Sequence, residues 1–324
     1  MSAVNDPQAW LTEHQRAQCT GASALTTFQG MLCDEILVPA SALTAKDPEA
    51  LVGAVCSFGH AMLQQAMLLP GEFAHEALWS VHVDYYRRQV REGGHAQYIA
   101  NSGWAPIPVR ATGYGLKRML ADPYYDVLRD VAKLTQAEPR EAKKLAAAQG
   151  HRDVPAALRA LDKRFADLER EEPLTPRHRT WIKSLRKLNA VPDETLRAHM
   201  NRIVSLNPLW MARRAEDSEK HRKAAEMDPT LQAVRALCQD AGLKLQGLNG
   251  AARTPVRASW RAGPNRPGVM REAVTDQGKR IALFYADGAL MKKYKAVLLE
   301  PGREAPVAEA ALTRADFETI APDL

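Results

Sequence analysis

Residues 72–94 read EFAHEALWSVHVDYYRRQVREGG, and this stretch decides the fold class. Phe73, Ala77, Val81 and Tyr85 recur every four residues, and Leu78 widens the stripe. That spacing gathers apolar side chains on one face of an α-helix rather than alternating them across a strand. A long helix is therefore expected over 72–92. Gly93-Gly94 should stop it, because glycine takes the left-handed conformation past a helix end without a Cβ clash.

Working outward, Asp47-Pro48 reads as a helix entry, with the aspartate accepting from early N–H groups and the proline suited to the first turn. Leu51, Val55, Phe58, Met62 and Leu69 follow at near-helical spacing until Pro70-Gly71. The first 45 residues carry little periodic signal. Past the double glycine, a short helical piece closes at Asn101-Ser102-Gly103. Residues 113–133 read as two helices meeting at Asp122-Pro123, and 136–153 as an exposed, Ala-rich connection. Pro155 opens the clearest helix, with Leu158, Leu161, Phe165 and Leu168 on one side. Further helices are expected over 176–189, from an Asp193 cap to about 206, over 208–225 and over 228–241.

Beyond Gly242 the texture turns to Gly, Pro and Arg. Residues 269–275, 280–285 and 289–299 then read as strands, joined at Asp276-Gln277-Gly278 and Asp287-Gly288. A last helix is expected near 314–320. The expected fold is mainly α: a multi-helix N-terminal domain and a smaller C-terminal α+β domain with an antiparallel hairpin or small sheet. The boundaries read as an N-terminal extension at 1–45, a helical domain at 46–190, a helical extension at 191–241 and the α+β domain at 242–324.

Composition narrows the function classes. With 46% hydrophobic and 25% charged residues, the chain is not a disordered polymer. No run approaches the roughly 18 apolar residues of a membrane span. The first residues show neither a basic n-region nor an apolar h-region, so a cytoplasmic location is expected. Cys19, Cys33, Cys56 and Cys238 are widely spaced, which reads as free thiols; a Cys19–Cys33 bridge is neither indicated nor excluded by spacing. The net charge of +6 is uneven: −3 over 1–135, +7 over 136–225 and +2 over 226–324.

No catalytic signature emerges. His75-Glu76 lacks the H-E-x-x-H spacing of a zinc helix, since His82 lies two turns on, roughly 10 Å along the axis. His82 and Asp84 project about 200° apart on a helix. Gly113-Tyr114-Gly115-Leu116-Lys117-Arg118 lacks the spacing and ending of a phosphate loop; its glycines are read as bordering a helix start. No metal and no cofactor are expected, and an enzyme with its site near 82–101 stays as one alternative. A second alternative is a nucleic-acid-associated protein. The segment 176–189 carries Arg177, Arg179, Lys183, Arg186 and Lys187 with no acid. Arg179, Lys183, Arg186 and Lys187 would share one helix face, suited to phosphates or to an acidic protein.

One run is more specific. Residues 85–103, with Gly93-Gly94-His95, Gln97-Tyr98 and Asn101-Ser102-Gly103, resemble the signature of the bacterial DNA-mimic protein family, roughly N-G-G-F-x-Q-Y-F-x-N-S-x-G after a long helix. Glu92 stands where Asn is usual, and His95 where Phe is usual. Leu158-Arg159-Ala160-Leu161-Asp162-Lys163-Arg164-Phe165 is similar to the family's later L-x-x-L-D-x-x-F/Y helix, so the resemblance covers about residues 50–190. It implies a mostly helical domain whose named role is imitation of duplex DNA by acidic side chains, occupying a DNA-binding protein. The expected function is thus a non-enzymatic protein-interaction module whose protein partner is expected among DNA-associated proteins. The signature is expected to serve as scaffold, with Gln97, Asn101 and Ser102 satisfying backbone groups at helix ends. The alternative is a partner site at His95, Gln97, Tyr98 and Asn101.

Overall fold

Ile36, Leu37 and Val38 are almost wholly buried and form, with Pro39, strand β1 (Ile36–Pro39). The first 45 residues thus supply core structure where the sequence shows little period, because four residues are too few to display one. The computed structural model describes residues 23–140, 145, 154–258, 266–287, 293–303 and 305–321. It divides into two compact units, Met1–Asp217 and Ser218–Leu324.

In the first unit, β1 leads into α1 (Ala40–Thr44) and α2 (Pro48–Gln64), the latter capped by Asp47 accepting from the Glu49 N–H at 2.9 Å. Next come α3 (His75–Ser102), α4 (Pro106–Arg118), α5 (Asp122–Ala137), α6 (Ala156–Glu171) and α7 (Leu174–Lys183). Strand β2 (Leu188–Val191) then runs parallel to β1, with Ile36 opposite Leu188 and Pro39 opposite Val191. After β2 the chain forms α8 (Leu196–Val204) and α9 (Trp210–Glu226), whose last residues belong to the second unit.

Three expectations are corrected here. The helix expected over 176–189 ends at Lys183, because residues 188–191 are drawn into a strand pair whose partner lies far away in sequence. Asp193 does not cap its own helix; its carboxylate instead accepts from the Ser41 N–H at 3.2 Å and from the Ser41 hydroxyl. The glycines of 113–118 lie inside α4 rather than at its start. A Cβ on Gly115 would sit 2.6 Å from Val83 and 3.2 Å from the Trp79 Cβ. Glycine therefore sets how closely α4 approaches α3. Most of the expected connection at 136–153 lies outside the described residues, as does Cys19; Cys33, Cys56 and Cys238 are free and buried.

The second unit carries α10 (Pro229–Asp240), five strands and α11 (Arg314–Ile320). The strands are β3 (Leu245–Ala258), β4 (Arg266–Thr275), β5 (Gly278–Asp287), β6 (Lys293–Leu299) and β7 (Pro306–Leu312). They form one antiparallel sheet in sequence order. The expected turn at 276–278 joins β4 to β5, with Thr275 opposite Gly278. Residues 289–292 of an expected strand lie outside the described residues. Strands β3 and β7 were not expected; the register of β3 slips between Asn249 and Thr254, and such irregularity hides a period of two. Val234, Leu237 and Phe317 from the two helices pack with Phe284, Ala296 and Leu298 of the sheet.

The first unit also buries an ion pair. Arg213 Nη1 and Nη2 lie 2.6 and 2.8 Å from the two carboxylate oxygens of Glu72, and both side chains are about fully buried. The remaining guanidinium hydrogens reach the carbonyls of Ala24, Thr27 and Met67. Glu72 also accepts from the Gln29 and Leu69 N–H groups at 2.7 and 2.8 Å. Every guanidinium donor and every near lone pair of the carboxylate is engaged, which is what makes a buried charge pair tolerable. Arg213→Ala strands the carboxylate in the core, and urea unfolding should show a loss of about 3–5 kcal/mol. A loss below 1 kcal/mol would show that water reaches Glu72.

Candidate functional site

Helix α3 does not end at the double glycine but breaks there and resumes. Gly93 has φ −151° and ψ 22°, and Gly94 has φ 72° and ψ −176°, a combination open essentially to glycine alone. The resumed half closes on Gly103 in the left-handed conformation, φ 59°, as the Asn101-Ser102-Gly103 sequence implies.

The break is held by a side chain from α6. Asp162 Oδ1 accepts from the His95 backbone N–H at 2.7 Å and lies 2.6 Å from His95 Nδ1. The carboxylate thus caps the resumed half of α3, where four N–H groups would otherwise lack partners and negative charge is favoured. A Cβ on Gly94 would lie 2.6 Å from Asp162 Oδ2. On the other side of the ring, His95 Nε2 is 2.9 Å from the Tyr86 hydroxyl. In the tautomer that donates through Nδ1 to the carboxylate, Nε2 accepts from the tyrosine hydroxyl. Tyr86 and His95 are both fully buried, and burial pushes the Tyr86 hydroxyl well above its ordinary range. Phe165, one turn beyond Asp162, meets Tyr86, His95 and Tyr124 edge to face. The two sequence stretches that carry the family resemblance therefore meet in space.

The other signature residues divide between core and surface. Tyr98 is buried, with its hydroxyl 3.2 Å from Thr112 Oγ1. Ser102 Oγ donates to the Tyr98 carbonyl at 2.6 Å and accepts from the Trp104 N–H at 3.2 Å, so it serves the helix end. Gln97 and Asn101 do not. Both donate to Gln89 Oε1, and Gln97 also reaches Glu92 at 3.2 Å, which links the two halves of α3 by side chains alone.

Of the histidine and acid side chains expected near 82–101, Asp84 and His95 have separate partners. Asp84 lies 2.8 Å from Arg88 Nε and 3.5 Å from Arg87 Nη2, yet burial outweighs the arginines and raises its pKa. Burial lowers His82 to about 4, with the His60 charge adding to the effect. His95 is held between Tyr86 and Asp162. A further pair, His178 Nε2 with Ser80 Oγ at 3.0 Å, is buried on both sides; burial, then Arg87, lowers His178 to about 3. Among the described residues no three His, Cys, Asp or Glu side chains group as a metal site. No helix among them is long and apolar enough to cross a membrane.

The basic residues expected to share a helix face are dispersed. Arg179 donates to the carbonyls of Ala45 and Lys46. Lys187 lies past the helix end, 2.6 Å from Asp34 and 3.4 Å from Glu76. Arg177 binds Glu172 and the Leu120 carbonyl, each at 2.7 Å. Lys183 and Arg186 remain exposed, with Lys183 at the end of α7 and Arg186 in the turn beyond it.

Residues 71–185 match the family model of the DMP19-like proteins. The match begins at the turn before α3 and ends just past α7, so it contains both halves of the Asp162 clasp and the Gly-Gly break. It supports a DNA-mimic-family helical domain over about a third of the chain. No curated protein and no solved structure matches the chain.

Two tests follow from these contacts. Gly94→Ala forces a Cβ into a glycine-only backbone state and against Asp162, and should cost about 1–3 kcal/mol in urea unfolding; Asp162→Ala in the natural background should cost about 0.5–2 kcal/mol through the lost cap. Acid stability should fall through His82 and His178. Their rings stay neutral in the fold down to about 4 and 3, whereas the unfolded chain protonates near 6.5, so the stability is whole above pH 6.5 and drains as pH falls toward 3. At pH 5.5 the loss is about 1.4 kcal/mol per histidine. His178→Gln should flatten the urea midpoint between pH 7.5 and 5.5; an unchanged slope would contradict the assignment.

Proposed function

We propose that the chain is a non-enzymatic protein-interaction module that engages a DNA-associated protein through its helical unit. The observation that carries this reading is the agreement between family match and geometry. The stretch similar to DMP19-like proteins closes upon itself through the Asp162 clasp. The polar groups of its signature bind one another and the backbone. Catalysis requires several groups aimed at one substrate position, whereas Asp84 is paired with Arg88 and Arg87 and His95 with Tyr86 and Asp162.

The charge pattern shapes how such a partner would be met. Asp122, Asp126 and Asp130 recur every four residues along α5, roughly 6 Å apart by the helical rise. Such a row has the sign and spacing of a phosphate strand, but each member is matched by a base: Lys117 for Asp122, Arg129 for Asp126, and Lys133 and Arg164 for Asp130. A basic partner binding there would displace exposed pairs that are each worth little.

The nucleic-acid reading retains Lys183 and Arg186 as its exposed contacts. One experiment separates the two. Tagged full-length chain is incubated with extract of its native host, and captured proteins are challenged with excess duplex DNA. The expected outcome is a captured DNA-binding protein released by the duplex, with the chain itself passing through DNA-cellulose at low salt. Capture indifferent to duplex would remove the DNA-associated partner. Salt-dependent retention of the chain on DNA, lost in Lys183→Glu/Arg186→Glu, would put the nucleic-acid reading in its place.

A further inference from the structure

Helices α4 and α5 are joined by three residues and form a helical hairpin. Along its outer side runs an open groove of about 720 Å³, within the size range of roughly 300–1,000 Å³ seen for small-molecule sites. On α4 the lining positions come in adjacent pairs, one per turn, from Val109-Arg110 to Lys117-Arg118; on α5 they are 125, 128, 129 and 132. Two separate chemistries are combined there.

The floor is apolar and fixed. The Tyr114 ring lies nearly parallel to Trp79 of α3, 6.2 Å between centroids, so one face of the tyrosine is backed by the core. Leu128 is buried. Gly113 leaves the way open to Tyr125, whose ring edge lies 3.5 Å from where a Cβ would stand. Such a floor gives a small hydrated ion no partners for its remaining hydrogen bonds, and it favours a flat apolar body.

The rim is cationic. Arg110, Lys117, Arg118 and Arg129 line the groove, and no acidic residue does. Lys117 lies over the Tyr125 ring at 4.3 Å while contacting Asp122, and Arg129 is 3.0 Å from Asp126. Both keep about half their side-chain surface exposed, 49% and 50%. Exposed pairs of this kind yield readily to a competing anion. The positions of Arg110 and Lys117 are two turns apart, roughly 10 Å, so cations stand toward both ends of an apolar floor.

We propose that the α4–α5 groove binds a small organic anion with a planar apolar body, such as an aryl carboxylate, sulfonate or phosphate. The body lies against Tyr114 and Leu128, and the anionic group meets Lys117 or Arg129. This site shares no residue with the Gly-Gly signature, but its Lys117 and Arg129 are the ion-pair partners of Asp122 and Asp126 on α5.

The test uses the full chain with two probes of nearly the same shape, 8-anilinonaphthalene-1-sulfonate and the uncharged N-phenyl-1-naphthylamine, in fluorescence titrations at low salt. The sulfonate should saturate a single site and bind at least about tenfold more tightly than the neutral probe, a gap of about 1.4 kcal/mol. Arg129→Glu should weaken it by about tenfold. Ala132→Trp, which fills the groove from α5, should abolish binding, while Lys183→Glu, away from the groove, should leave it unchanged. If Ala132→Trp shifts the thermal midpoint, Val109→Trp repeats the block from the facing wall. Equal binding of the two probes, displacement of the sulfonate by equimolar inorganic sulfate, or full binding in both tryptophan variants would overturn the proposal.

Discussion

A single carboxylate governs the helical unit. Asp162 caps a helix that has been broken in its middle, and the break exists only because Gly94 adopts a backbone state closed to other residues. Without the cap, the N–H groups of the resumed half would face a hydrophobic interior that offers them nothing. With it, the chain redirects α3 so that Tyr98 meets Thr112 on α4 and His95 meets Tyr86 within α3 itself. Phe165 follows Asp162 into the same core and touches three aromatic rings. The clasp and the aromatic cluster reinforce each other, since Asp162 and Phe165 lie one turn apart on α6 and both meet His95.

How much of this is legible in sequence depends on the range of the interaction. The helix over 72–92, the Asp47 cap and the helix after Pro155 are announced by local periodicity and local turn chemistry, and all three form. The resumed helix to Gly103 is equally local. Strands β1 and β2 are not: each is four residues long and finds its partner about 150 positions away, so neither shows a pattern of its own. The same long-range pairing cuts short the helix expected to run to 189. For the site, the Gly-Gly, Gln-Tyr and Asn-Ser-Gly elements can be picked out by eye, but not their dependence on Asp162. The two stretches are read separately, and only folding shows that one supplies the cap for the other. The groove on the α4–α5 hairpin is hidden for a different reason. Its cations look like ordinary solvated positions, and the two glycines look like punctuation rather than contact points.

Charge illustrates the gap between composition and surface. An excess of +7 over 136–225 suggests a cationic face, yet much of it is absorbed within the fold. Arg179 binds backbone carbonyls, Lys187 ties the start of α3 to the segment before β1, and Arg213 is in the core. Conversely the slightly acidic first third carries the cationic groove, because its acids lie outside the groove and its bases line it. Net charge describes long-range attraction and solubility; it does not locate a site.

Glu72 stands at the very edge of the family match, and Arg213 lies 28 residues beyond its end. The region recognisable as DMP19-like thus shares a buried ion pair with chain outside it. A fragment cut at 71–185 would retain the buried carboxylate and lose its only cationic partner among the described residues. It would also lose the whole β1–β2 pair, since residues 36–39 and 188–191 both lie outside it. The edges of the family match therefore do not coincide with the edges of the packed unit, which runs to Asp217. Exchange of such a segment between related proteins would have to carry the arginine along.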